Sequence, residues 1–223
     1  MENLPIYVNI SFIVITFLTI YLFYRATQRS QKALWVILGW LVLHGILSYS
    51  GFYETTDTIP PRAMLTFFPT FILIIALFNT SSGKAFIDSL DEKALTILHT
   101  IRIPVEIVLL LLFLNGLLPE IMTFEGRNFD ILAGLTAPFV YYLGYVKNKI
   151  GKNGLLIWNI LCVVLLSNIV FYALFSIETP FQQFGLDQPN RAILYFPFAW
   201  LPAVVVPIVF FSHFATIRKL LNR

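Results

Sequence analysis

The sequence predicts an all-α membrane protein: a bundle of seven transmembrane helices, pointing to a parallel repeat in which spans one to three recur as spans five to seven. Three observations carry this expectation. The chain of 223 residues is 58% hydrophobic and only 12% charged, about half the charge of an ordinary soluble domain. Charge this sparse cannot coat a globule of this size, so most of the surface meets lipid. Seven apolar runs approach or exceed the length that crosses a bilayer, which takes about 20 residues. Finally, the basic residues fall almost entirely into alternate loops.

The first run, residues 6–24, has no basic stretch before it and no small-x-small cleavage site. It is read as a span rather than a removed signal peptide. The second, 33–53, carries His44 near its middle and ends in Ser48-Tyr-Ser-Gly-Phe-Tyr-Glu54. The third, 63–79, is opened by Arg62 and contains Pro69. The fourth, 94–118, holds His99, Arg102 and Glu106, with Pro104 between the last two. The fifth, 128–146, follows Arg127 and contains Pro138; the sixth, 155–176, contains the single cysteine, Cys162. One cysteine excludes an internal disulfide and a cysteine-rich metal site, and its ordinary role is that of a small packing residue. The seventh, 192–214, contains Pro197, Pro202 and Pro207. Each proline removes a helix hydrogen bond, so this helix cannot be regular. The expected organisation is one polytopic domain over residues 1–223, with repeat halves 5–79 and 128–214 and a linker helix 94–118.

Charge sets the expected orientation. Arg25, Arg29, Lys32, Lys84, Lys93, Lys147, Lys149, Lys152, Arg218, Lys219 and Arg223 share one side, against Arg62, Arg127 and Arg191 on the other. Eleven basic residues against three place the first side in the cytoplasm, the N-terminus outside and the C-terminus inside. The outer side also carries acids, from Glu2 through Glu54, Asp57, Glu120, Glu125, Asp130 and Glu178 to Asp187. The expected location is a plasma or inner membrane. The basic residues are spread over separate short loops, which is no footprint for nucleic acid.

Two echoes suggest the repeat. Pro60-Pro-Arg-Ala-Met-Leu-Thr-Phe67 and Pro189-Asn-Arg-Ala-Ile-Leu-Tyr-Phe196 agree at five of eight positions. Tyr21-Leu-Phe-Tyr24 is matched by Tyr142-Leu-Gly-Tyr145, and in both pairs the offset is four spans. A duplicated bundle in a membrane is a common transporter plan. The layout resembles that of the sugar-facilitator (SWEET) and vitamin-precursor (PnuC-type) transporters, and this resemblance implies transport. It is one of layout only: the Pro-Gln dipeptide of the sugar-facilitator superfamily is absent, and no motif carries a residue role across. Microbial rhodopsins share the span number and orientation, but the seventh run has no lysine for a retinal Schiff base.

The residues most costly to place in lipid are candidates for binding a solute. His99, Arg102 and Glu106 recur at three- and four-residue spacing, so they share a helix face, and Arg102 is spaced to pair with Glu106. Such a pair serves either as a neutralised structural lock or as a substrate or proton site. A second candidate lies at the outer ends, where Arg62, Arg127 and Arg191, with Tyr53 and Tyr195, would ring a small ligand, an anion among the candidates. The neighbouring carboxylates count against an anion, and an interfacial belt of Tyr and Arg is the competing reading. No cofactor is expected. A b-type haem held by His99 and His213 is disfavoured because no second depth-matched histidine pair exists, and no metal motif is present. Phosphate loops and nucleophile elbows are also absent.

These features favour a small-solute transporter or facilitator with an outward-facing polar pocket, and a non-enzymatic role. The alternatives are a sensor, an accessory subunit of a membrane complex, or an intramembrane enzyme acting on a lipid or quinone. The expected partners are the bilayer and a small-molecule ligand, and an oligomer is compatible with the sequence.

Overall fold

The computed structural model describes residues 4–222; Glu2 and Arg223, both part of the charge asymmetry, lie outside them. Among the described residues every regular element is helical. Helix α1 is Ile6–Ala26 and α2 is Gln31–Tyr49; α3, Phe68–Asn79, is preceded by a 3-10 turn at Arg62–Thr66. A short helix, α4 (Ser81–Ser89), leads to one continuous span made of α5 (Glu92–Leu98), a 3-10 turn (His99–Ile101) and α6 (Arg102–Leu114). Helix α7, Ile131–Tyr141, closes in a π turn at Tyr142–Val146, and α8 is Lys152–Phe175. The last span joins a π turn at Leu201–Val205 to α9, Val206–Leu221.

Six of these helical stretches are long and apolar enough to cross a membrane, and Ile131–Val146 is a shorter apolar helix. The 21 residues of α1 rise about 32 Å, the thickness of a hydrocarbon core. Side chains left exposed on the bundle are themselves apolar: Tyr7, Ile10, Val14, Phe17 and Tyr21 line one face of α1, and Ile157, Leu161 and Val164 line one face of α8. A surface of this kind belongs against acyl chains, and the chain has the architecture of a multi-pass helical membrane protein.

Expected boundaries shift: the second run ends at Tyr49, and three others move for visible reasons. The fifth run is helical only from Ile131, because Asn128 is turned inward to bond Met122 O and Glu106. The fourth run stops at Leu114, ahead of Gly116 in a left-handed conformation. The seventh begins as a 3-10 turn at Ala192–Leu194, passes through an extended Tyr195 and becomes regular far later than residue 192. Its prolines explain this. In a regular helix the Ala203 carbonyl would take the N–H of residue 207, which is proline and has none. Trp40 Nε1 and Thr70 Oγ1 donate to Ala203 O instead, at 3.0 and 3.5 Å. Trp200 Nε1 returns a bond to Leu41 O at 2.9 Å. Irregular backbone at membrane depth is tolerated where neighbouring helices satisfy it in this way.

Helix α4 has no apolar run to announce it in the sequence. Thr80 caps it by accepting from Gly83 N at 3.2 Å. A Cβ at residue 83 would collide with the Leu77 backbone, so glycine allows the α3–α4 corner. The end of α9 clamps this region: Arg218 Nη2 donates to Asp88 Oδ2 at 3.2 Å, and Lys219 donates to the carbonyls of Asp88 and Leu90.

The core lies around the α5–α6 span and α9. The most apolar stretch of Leu201–Leu221 is 72% buried and that of Glu92–Leu114 is 50% buried, whereas α2 and Arg62–Asn79 are each 17% buried. Span four is thus a central helix, flanked by α1 and α7. The echoed segments Arg62–Thr66 and Ala192–Leu194 both form 3-10 turns. Beyond that the repeat finds no support in helix pairing: α8 packs along α9, while the corresponding α2 and α3 make little contact.

Candidate functional site

Pro104 lacks the N–H that would close a helical turn onto Thr100 O, and the chain tightens into the 3-10 turn His99–Ile101 just before it. This turn sets His99 against α9. The rings of His99 and His213 stack at 3.7 Å with 7° between their planes, and Trp158 of α8 packs edge-on against both. His213 Nδ1 is 2.8 Å from Asn159 Oδ1, and the Asn159 amide nitrogen is already spent on Leu155 O. His213 therefore donates from Nδ1. Its Nε2 and both nitrogens of His99 have no hydrogen bond, although each residue is fully buried. Stacked face to face, the two rings share a plane-to-plane contact and do not flank a common axial centre.

One turn further along, Arg102 is 2% exposed. Its counter-charge is Asp130, Nη1 to Oδ1 at 3.2 Å. The expected partner Glu106 is instead held by Asn128, whose Nδ2 donates to Glu106 Oε2 at 2.6 Å. The correction has a physical reason. Side chains on a helix lean toward its N-terminus, so an arginine placed four residues before a glutamate leans away from it, the weaker order for such a pair. The Arg102–Asp130 contact has the distance of an ion pair but not the alignment of a hydrogen bond, for none of the guanidinium nitrogens is hydrogen-bonded. Backbone approach makes the contact. Gly134 of α7 lies so close to the span that a Cβ there would stand 3.1 Å from Ile103 N and 3.2 Å from Arg102 Cβ.

Glu106 and Asp130 border a cavity of about 70 Å³ whose wall is otherwise mostly apolar. Arg102, His99 and His213 do not line it. His99, Arg102 and Glu106 are thus brought inward as expected from their spacing, and Asp130, Asn128 and Asn159 complete the group. Asp130, grouped by sequence with the outer carboxylates, is 4% exposed. The signal that would have found it is Asn128-x-Asp130 immediately ahead of an apolar run, together with an arginine in a span that needs a charge from another helix.

The outer-end residues sort differently. Arg62 lies 4.8 Å from the Phe52 ring and donates to Thr55 Oγ1 at 3.2 Å. Arg191 pairs with Glu178 at 2.9 Å, both side chains about half exposed. Arg127 is exposed, and its side chain makes no hydrogen bond or ion pair among the described residues. Each of the three arginines thus has different surroundings. Tyr195 lies beside Glu54; burial first, then that carboxylate, hold its phenol above the usual range. Tyr53 is fully buried, its hydroxyl 2.6 Å from His44 Nδ1. It braces α2 rather than facing an open pocket.

Fold and site together define a multi-pass helical membrane protein with a buried ionisable group at the centre of its bundle. The chain belongs to the family described as a domain of unknown function (DUF8737), which it matches over residues 59–221. That match runs from ahead of α3 to the end of α9 and includes every residue of the buried group, but not α1, α2 or His44. No curated protein and no solved structure matches the chain.

Proposed function

We propose that this protein is a small-solute transporter or facilitator of a plasma or inner membrane, and that its solute site is the buried group on span four. In this reading all seven apolar helices cross the bilayer, with the N-terminus outside and the C-terminus cytoplasmic, as the eleven-to-three distribution of basic residues favours. One observation carries the reading. Arg102, Glu106 and Asp130 are each at most 4% exposed, come from two helices, and two of them border a cavity inside the bundle. Ionisable groups at membrane depth are costly, and in bundles they mark solute and ion pathways. The proline-bent last span and the π turns of spans five and seven supply irregular helices of the kind that line such pathways.

The test is uptake by purified protein in proteoliposomes, across a panel of labelled small cations, anions and neutral solutes. Saturable uptake above protein-free vesicles, lost in Glu106→Gln, is expected. Absence of uptake for every class, with folded protein in the membrane, contradicts the proposal.

A further inference from the structure

The cavity beside Glu106 and Asp130 has a chemistry of its own. Two carboxylates border it, and one guanidinium, Arg102, stands behind Asp130 to balance one of them. Among the described residues no second cation pairs with Glu106, and a buried carboxylate of this kind is neutralised by a proton or by a cation from outside. Nor are the acceptors filled. Among the described residues Glu106 receives one hydrogen bond, from Asn128, and Asp130 Oδ1, which faces Arg102, receives none. A carboxylate offers about four acceptor sites, and leaving them empty away from water is expensive. Leu109, Leu166, Ile169 and Val206 face the same space with hydrocarbon.

We infer that this cavity binds a small organic monocation, an alkylammonium of about three or four heavy atoms, with its N–H groups on Glu106 and Asp130 and its carbon end against the apolar wall. Size follows from volume. An engineered apolar cavity of about 150 Å³ admits benzene, and 70 Å³ is about half of that. Charge follows from the lining, since an ammonium can replace the proton that an uncompensated buried carboxylate otherwise keeps. An anion would meet two carboxylates, because Arg102 is not on the wall. A hard inorganic cation takes about six oxygen ligands, whereas the side chains here offer two carboxylates and the Thr66 hydroxyl, already hydrogen-bonded to Ala63 O. This inference names the substrate class of the site proposed above. It rests on that reading for transport but not for binding.

The experiment is thermal unfolding of the full chain in nanodiscs at neutral pH and fixed ionic strength, titrated with ethylammonium chloride, sodium chloride, sodium acetate or 1-propanol. Ethylammonium should raise the midpoint saturably and the other three should not. Glu106→Gln should weaken the apparent affinity at least about tenfold, the effect of losing one charge-assisted hydrogen bond. Val170→Phe, which fills the apolar wall and leaves both carboxylates in place, should weaken it as well, so the test survives poor folding of the Glu106 variant. An equal response to sodium, or an ethylammonium response unchanged in both variants, overturns the inference. Stabilisation by ethylammonium without its uptake into proteoliposomes upholds the cation site and removes the transport reading. Uptake of another solute class with no ethylammonium response does the reverse.

Discussion

A buried arginine can find its counter-charge along its own helix or on a neighbour, and Arg102 takes the second course with Asp130. Separating such a pair leaves one charge buried and uncompensated, which costs about 3–5 kcal/mol, whereas replacing both partners with apolar side chains is often neutral. Arg102→Leu and Asp130→Leu should each lower unfolding stability in detergent or nanodiscs by about that amount. The double variant should regain most of the loss. Equal losses in the double and the worse single variant would show that the two do not act as a pair. In the turn after α2, Tyr53→Phe strips the buried His44 Nδ1 of its partner and should cost about 1–3 kcal/mol. A stability unchanged by that substitution would mean that the hydrogen bond is not holding α2. At this scale the sequence revealed which residues were expensive, because cost depends on residue type and depth. It did not reveal their partners, since Arg102 and Asp130 are 28 positions apart and no periodicity links two helices.

Helices carry their own constraints. The apolar runs were legible because length and hydropathy are local properties. Their ends were less so. Pro207 empties the Ala203 carbonyl, and the remedy, Trp40 from α2, lies far away in the chain. The head of span seven therefore could not be placed from its composition. Gly134 illustrates the same dependence. Its missing side chain is what lets α7 meet Ile103 and Arg102. Gly134→Val should push α7 from the span and overpack the contact, at about 1–3 kcal/mol, and should expose Cys162 and the histidine pair to modifying reagents. Protection equal to that of the unmodified chain would show that α7 has room to spare.

For the whole molecule, sparse charge and apolar exposed faces agree on lipid as the solvent, and both were legible in composition. The proposed orientation is open to a direct test. Reporter fusions after Lys32 and Lys152 should report the cytoplasm, and fusions near Asp57 and Asp187 the outside. A cytoplasmic signal at Asp187 would reverse the arrangement or remove a span, with Ile131–Val146 the first suspect: its 16 residues rise only about 24 Å. The internal echoes extend over only eight and four residues. Eight residues can share a local turn, as Arg62–Thr66 and Ala192–Leu194 do, without obliging whole helices to pair alike.

The central claim is that the buried group on span four handles solute rather than merely locking the bundle. The measurement that tests it most directly is uptake by the double variant Arg102→Leu with Asp130→Leu, for whichever solute the unmodified protein takes up. A folded, membrane-inserted protein with no uptake above empty vesicles is expected. A folded double variant that transports at the unmodified rate would contradict it, and would make the Arg102–Asp130 pair a structural lock.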